Sequence, residues 1–176
     1  MGTVLNYYDE LTAAMTLCAR EGCLFVGQSV AYPGQAMHRS LQHVPPTQRL
    51  EVPVLEDFQM GLCTGMSLAH RPAPVCIFPR MDFLLLAFNQ LINHLDKLPA
   101  WGWKPKVIIR TAVGSRTPLD AGLQHTQNLT PALLATLNTV RVEQLTMSRD
   151  IVPAYKRALT SDSSTILVEY ADRYQS

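Results

Sequence analysis

Two side chains in this sequence are placed to handle protons, Glu56 and His125. Glu56 closes the run Arg49-Leu50-Glu51-Val52-Pro53-Val54-Leu55-Glu56 and is followed by Asp57. The run reads as a short apolar strand over 52–55 that ends on a carboxylate and turns into a helix over 57–70. A carboxylate at the carboxyl end of a buried strand lies where open α/β sheets keep their ligand chemistry. Aimed into an apolar crevice, it needs a partner that shares a proton or donates a hydrogen bond. The same position also suits the positive end of a helix macrodipole, so placement alone fits capping as well as chemistry. His125 stands in Gln124-His125-Thr126-Gln127, at the end of a loop running from Val113 to about Asn128. A loop of that length without an element of its own is uncommon in a compact domain and is often functional. An imidazole there can take or give a proton near neutral pH, although a solvent-facing His fits the spacing equally. Phe78, Arg80 and Phe83 flank another strand-to-helix junction. A ring there can stack on a flat ligand, and Arg80 can meet an anionic substrate group or remain a solvated surface side chain.

The elements that must position these groups alternate. Leu11, Ala14, Met15 and Cys18 share one helical stripe over 7–21. A short apolar run over 23–26 ends at Gly27, and a brief helix over 34–44 is stopped by Pro45-Pro46. Further strands are expected over 52–55, 73–78, 106–112, 140–145 and 165–169. Helices are expected over 57–70, 129–137 and 149–159, with the clearest over 81–98, where Leu84, Phe88, Leu91, Leu95 and Leu98 form one stripe. Short apolar strands alternating with helices predict an α/β fold, doubly wound, with a mostly parallel sheet and helices on both faces. Gly61, Gly65 and Ala69 form a small-residue ridge on the 57–70 helix. A glycine inside a helix costs ~1 kcal/mol relative to alanine, so the ridge should pack closely, against the domain's own sheet or across a subunit interface.

Composition narrows the function classes. The chain has 176 residues, 47% of them hydrophobic and 16% charged, with a net charge of +1. That fits one domain over 1–176 and gives no electrostatic support to a nucleic-acid or membrane-surface role. Cys18, Cys23, Cys63 and Cys76 form no Cys-x-x-Cys pair and sit in apolar runs, which reads as buried reduced thiols in a cytoplasmic protein. No secretory leader is visible in the first ten residues, Asn6 argues against myristoylation, and the apolar run 83–88 is too short to span a bilayer. There is no Gly-rich phosphate loop, no nucleophile elbow and no His or Cys pair at metal spacing, so no metal ligand is expected. A Gly-Asp-Gly with a downstream Asn is absent as well.

Six segments in chain order resemble one family. Phe25-Val26-Gly27-Gln28-Ser29-Val30 resembles a Leu-Gly-Glu-(Asp/Glu)-Val segment after a first strand. The run from Arg49 to Glu56 resembles Arg-(x)2-(Asp/Glu)-Thr-Pro-Ile-x-Glu. Gly61 and Gly65 match helix glycines, and Arg71-Pro72 matches an Arg-Pro. Phe83, Ala87, Gln90, Ile92 and Asn93 resemble a Phe-x-x-x-Ala-x-(Asp)-Gln-x-(Ile)-Asn helix, and His125-Thr126-Gln127 resembles His-Ser-Gln. Together they are similar to the pyrimidine-binding domain of thiamine diphosphate enzymes, above all the N-terminal half of the beta subunit of pyruvate dehydrogenase-type 2-oxo acid dehydrogenases, with transketolase more distant.

The resemblance implies a thiamine diphosphate-dependent enzyme of 2-oxo acid dehydrogenase, decarboxylase or transketolase type, split across chains. Glu56 is then the activating glutamate, with Phe83, Phe78 and Leu55 as further cofactor contacts. His125 is a second catalytic group, and Arg80 and Gln127 reach the substrate. Mg²⁺ and the diphosphate fall to a partner chain carrying Gly-Asp-Gly, in an α2β2 heterotetramer. By the same resemblance, the family's C-terminal transketolase domain and a diphosphate-binding domain are expected to be absent. The segment 69–74, Ile77 and Arg80 depart from the family pattern and suggest an altered substrate pocket. Two other readings fit the same fold: a non-catalytic assembly subunit, and an unrelated flavodoxin-like ligand-binding domain.

Overall fold

Six strands pair side by side in the computed structural model, which describes residues 6–69, 72–114, 116–117 and 120–175. They are β1 (Phe25–Gly27), β2 (Arg49–Glu51), β3 (Val75–Phe78), β4 (Ile108–Val113), β5 (Arg141–Gln144) and β6 (Thr165–Tyr170), in the order β2-β1-β3-β4-β6-β5. Every neighbouring pair is parallel. The four inner strands are buried on both faces, which is why they read as unbroken apolar runs such as Val75-Cys76-Ile77-Phe78.

Two separate apolar cores, one on each side of the sheet, explain the double winding. Helices α1 (Tyr7–Arg20), α2 (Ala36–Arg39) and α6 (Ser148–Thr160) supply Leu11, Met15, Met37, Ile151 and Tyr155 to one core. Helices α3 (Glu56–Ala69), α4 (Met81–Leu84) and α5 (Thr130–Thr136) supply Met60, Cys63, Leu84 and Leu133 to the other. From β1 the chain runs to β2 at one edge, then crosses back to β3 on the other side of β1. The carboxyl ends of β1 and β3 therefore flank the switch point, where open α/β sheets form their ligand crevice.

Helix α1 starts where the Asn6 side chain accepts from the amides of Tyr8 and Asp9, at 2.9 and 3.1 Å, with Asp9 and Glu10 in the first turn. The Tyr7 hydroxyl donates to the Leu145 carbonyl at 2.7 Å and accepts from the Tyr170 amide at 3.0 Å, so the start of α1 is fastened to the ends of β5 and β6. Under α1 and α6 lies a charged cluster. Fully buried Arg110 makes a two-pronged contact with Glu169, and its Nη1 donates to Ser40 Oγ at 2.8 Å. The Tyr174 hydroxyl donates to the same Glu169 carboxylate at 2.7 Å. All four cysteines are buried free thiols.

Two expected elements take other forms. The strand expected over 52–55 lies at Arg49–Glu51 instead. Arg49 pairs with Phe25 and Glu51 with Gly27, and the last ladder bond runs from the Val52 amide to the Gly27 carbonyl at 3.1 Å. Pro53 then has no amide to continue the ladder, and Val54 and Leu55 turn outward. The segment expected as a helix over 81–98 is helical but irregular in its hydrogen bonding. A single turn of α4 gives way to a 3-10 turn over Leu85–Ala87, a wide π turn over Asn89–Leu95 and another 3-10 turn over Leu98–Trp101. The wide turn is closed by the Asp96 amide on the Leu91 carbonyl at 2.9 Å, and it keeps Leu91 and Leu95 on the core while Phe88 is only partly covered. The Arg71-Pro72 match and the segment 69–74 include His70 and Arg71, which lie outside the described residues, as do Ser115, Pro118 and Leu119 of the long loop.

Candidate functional site

Glu56 is the first residue of α3 and only 6% exposed. Its Oε1 accepts from the Gln28 side-chain amide at 3.2 Å. Gln28 directly follows β1, so the carboxylate sits at the carboxyl edge of the sheet, beside the switch point. The surroundings are mostly apolar and uncovered: Glu56 and its neighbour Asp57 line a shallow depression with Val54, Leu55, Phe58 and Leu86. All four of those side chains are exposed, Leu86 at 62% and Val54 at 72%. A nearly buried carboxylate thus sits inside an exposed apolar rim.

The loop that carries Gln28 is held from below. Glu51, at the end of β2, accepts three successive backbone amides, from Ser29 at 2.7 Å and from Val30 and Ala31 at 2.8 Å each. Ser29 has φ 57° and is the one positive-φ residue other than glycine among the described residues. That conformation costs an L-residue roughly 1–2 kcal/mol, and the carboxylate bonds offset it.

His125 lies in a neighbouring groove of about 380 Å³, lined by Gln35, Arg80, Phe83, Ala112 and Tyr174 among others. Its Nδ1 is 3.0 Å from the Ala121 carbonyl oxygen. A carbonyl only accepts, so the neutral ring carries its proton on Nδ1 and keeps a lone pair on Nε2. The Phe83 ring meets the imidazole edge to face, with centroids 5.5 Å apart and planes at 79°. Arg80 Nη1 donates to the Gly114 carbonyl, which ties the start of the long loop to the β3–α4 junction.

The sequence-expected residues thus divide. Arg80, Phe83 and His125 share one groove, while Glu56 and Leu55 share the depression beside α3. Phe78 is 1% exposed and part of the α3-side core, so its ring offers no face at the surface. The Gln127 amide donates to Asp82 Oδ1 at 2.8 Å and holds the loop against α4. Sequence reasoning passed over Gln28 and Glu51. The available signal was an acidic residue two positions before Pro-Val-Leu-Glu and a polar residue directly after the β1 glycine.

The small-residue ridge of α3 splits as well. A Cβ on Gly61 would touch the Gln90 side chain at 3.4 Å, whereas one on Gly65 would meet nothing within 4 Å. With exposed Phe58 and Leu68 on the same helix, the Gly65 side of the ridge faces outward rather than onto the sheet. Among the described residues no group of three or more His, Cys, Asp or Glu side chains could hold a metal ion, and no helix is long and apolar enough to cross a membrane.

No family model and no curated relative matches the chain. Among solved structures it is similar to a split-gene transketolase in an inactive β4 tetramer, with a TM-score of 0.71 and 16% identity. The match covers 93% of this chain and 51% of that one, so the chain spans about half its length. The likeness is one of fold: a transketolase-like arrangement of six parallel strands between two helical layers.

Proposed function

We propose that the chain is the pyrimidine-binding subunit of a split thiamine diphosphate-dependent enzyme acting on a 2-keto acid or ketol donor. The observation that carries this reading is Glu56: a nearly buried carboxylate at the sheet's carboxyl edge, one oxygen bound by Gln28, set in an exposed apolar rim. These residues fit an aminopyrimidine, whose ring nitrogen would meet the second carboxylate oxygen and whose flat faces would lie against Leu55 and neighbouring apolar side chains. The partly buried Phe83 ring is a further contact from the His125 groove. The diphosphate and its Mg²⁺ are assigned to a second chain carrying the Gly-Asp-Gly pattern, in an α2β2 assembly. The uncovered rim and the open Gly65 ridge support a partner on this face.

When bound, the cofactor supplies the electron sink for cleavage next to the substrate carbonyl. The chain's own residues do the rest. Glu56 holds or shares a proton at the ring nitrogen, in a site that the partner dries. His125 takes or returns a proton through Nε2 at a substrate oxygen, and Arg80 faces the anionic end of the substrate.

The test is calorimetry of thiamine diphosphate with Mg²⁺ against this chain alone, against the chain mixed with a co-encoded Gly-Asp-Gly partner, and with Glu56→Gln. Binding is expected in the mixture only, and Glu56→Gln should lower turnover by about 10²–10⁴-fold. Absence of binding in every combination would overturn the reading in favour of a non-catalytic assembly subunit or a flavodoxin-like binder.

A further inference from the structure

A carboxylate has two equivalent oxygens, and the last torsion of a glutamate side chain is broad and roughly two-fold. An unpartnered Glu56 at the mouth of a crevice would present either oxygen at many angles. The structure breaks that symmetry, since Oε1 is held by the Gln28 amide at 3.2 Å.

Gln28 is aimed by what lies on either side of it. On one side is Gly27, locked in register between Glu51 and Ile77 of the flanking strands. A Cβ there would lie 2.4 Å from the Ile77 carbonyl oxygen, so only glycine fits at this point of the ladder. On the other side is Ser29, in the left-handed conformation and bound through its amide to Glu51. The next two amides bind the same carboxylate. The backbone is therefore fixed both before and after Gln28, and its side chain leaves the sheet edge in one direction. Gln28 is also a neutral donor, so it orients Glu56 without competing for the proton that Glu56 must exchange.

We propose that Glu51 and Gln28 are positioning residues for Glu56: Glu51 fixes the loop after β1, the loop aims the Gln28 amide, and the amide occupies one Glu56 oxygen so that the other is presented to the ligand. The catalytic consequence rests on the function proposed above; the relay itself is a property of the free chain.

Two measurements test it. In the isolated full chain, NMR of the side-chain amides should show the Gln28 NH₂ protected from hydrogen exchange. That protection should fall by about tenfold or more in Glu56→Leu and in Glu51→Ala, as expected for loss of a hydrogen bond to a charged group. Glu51→Asp, which keeps the carboxylate, should restore part of it. In the assembled enzyme, Gln28→Leu should lower kcat by about tenfold with little change in cofactor affinity, and adding Glu51→Ala should lower kcat no further. A Gln28 NH₂ that exchanges freely in the unmodified chain, or fully additive kcat losses in the double variant, would overturn the relay. Protection that behaves as expected in a chain whose mixture never binds the cofactor would leave the relay standing and remove the proposed function instead.

Discussion

The two faces of the sheet are finished to different degrees. On the α1 and α6 face the buried Arg110 and Glu169 answer each other within the chain. Burial works against the charge of Arg110, but Glu169 beside it holds the guanidinium ionised. Burial first, and then the Glu169 charge, keeps the hydroxyls of Tyr7, Tyr155 and Tyr174 protonated well above their ordinary range. All three hydroxyls therefore remain donors, Tyr174 and Tyr155 to Glu169 and Tyr7 to the Leu145 carbonyl. The α3 and α4 face is left open. Gln59 Oε1 and Asp82 Oδ2 are buried without a partner among the described residues, and Phe58, Leu68, Leu85 and Leu86 are exposed. One sheet thus carries a closed interior on one side and, on the other, an uncovered apolar surface.

The contrast can be broken most severely at the closed face. Glu169→Ala leaves Arg110 charged and unpaired in the core and should cost about 3–5 kcal/mol, read from the urea unfolding midpoint. At the seam between β1 and β3, Gly27→Ala drives a methyl into the Ile77 carbonyl. Overpacking of that kind should cost about 1–3 kcal/mol in the same assay.

Asp96 offers a pH-dependent test. Burial alone would raise its carboxyl, but the amides of Thr139, Val140 and Asn138 outweigh burial and hold it below the usual carboxylate range. A folded value below the unfolded one adds stability above the ordinary carboxylate range, and that stability is lost as pH falls through the folded value. Asp96→Asn should therefore unfold with a shallower acid limb and be about 1–2 kcal/mol less stable at pH 7. The smallest effect sharpens the comparison: Leu86→Lys should change the stability of the isolated chain by no more than about 0.5 kcal/mol. The same substitution should weaken assembly with the partner at least tenfold by light scattering. A stability loss as large as that of Glu169→Ala would mean that the two faces do not differ in this way.

Much of the fold was legible because buried parallel strands leave continuous apolar runs, and those over 73–78, 106–112 and 165–169 lie on observed strands to within two residues at either end. The second strand was misread because Val54 and Leu55 look like core residues. Their hydrophobicity serves the outside, and Pro53 had already ended the ladder. The 81–98 stripe gave the right buried side of that segment, since Leu84, Leu91 and Leu95 are in the core. It did not reveal the π turn, because a stripe reports which side is covered and not how many residues make each turn. At the candidate site, Glu56 stands out in the sequence as the carboxylate closing an apolar run. The roles of Gln28 and Glu51 depend on strand register, which brings residues more than twenty positions apart to one sheet end and leaves no local pattern.

The tyrosine clasp at the start of α1 also bears on how the chain comes to be made. Tyr7 is bonded to residues 138 and 163 positions later in sequence, and the apolar stripe of α1 packs on α6 and the late strands. During synthesis α1 is therefore made well before the elements that complete its seat. Until β6 is added, the core that Leu11, Met15 and Cys18 share with Ile151, Tyr155 and Leu167 is incomplete, and contacts so distant in sequence close slowly. A nascent chain stalled before residue 165 would hold this helix only partly covered and prone to association, so β6 acts as the latch that seats it.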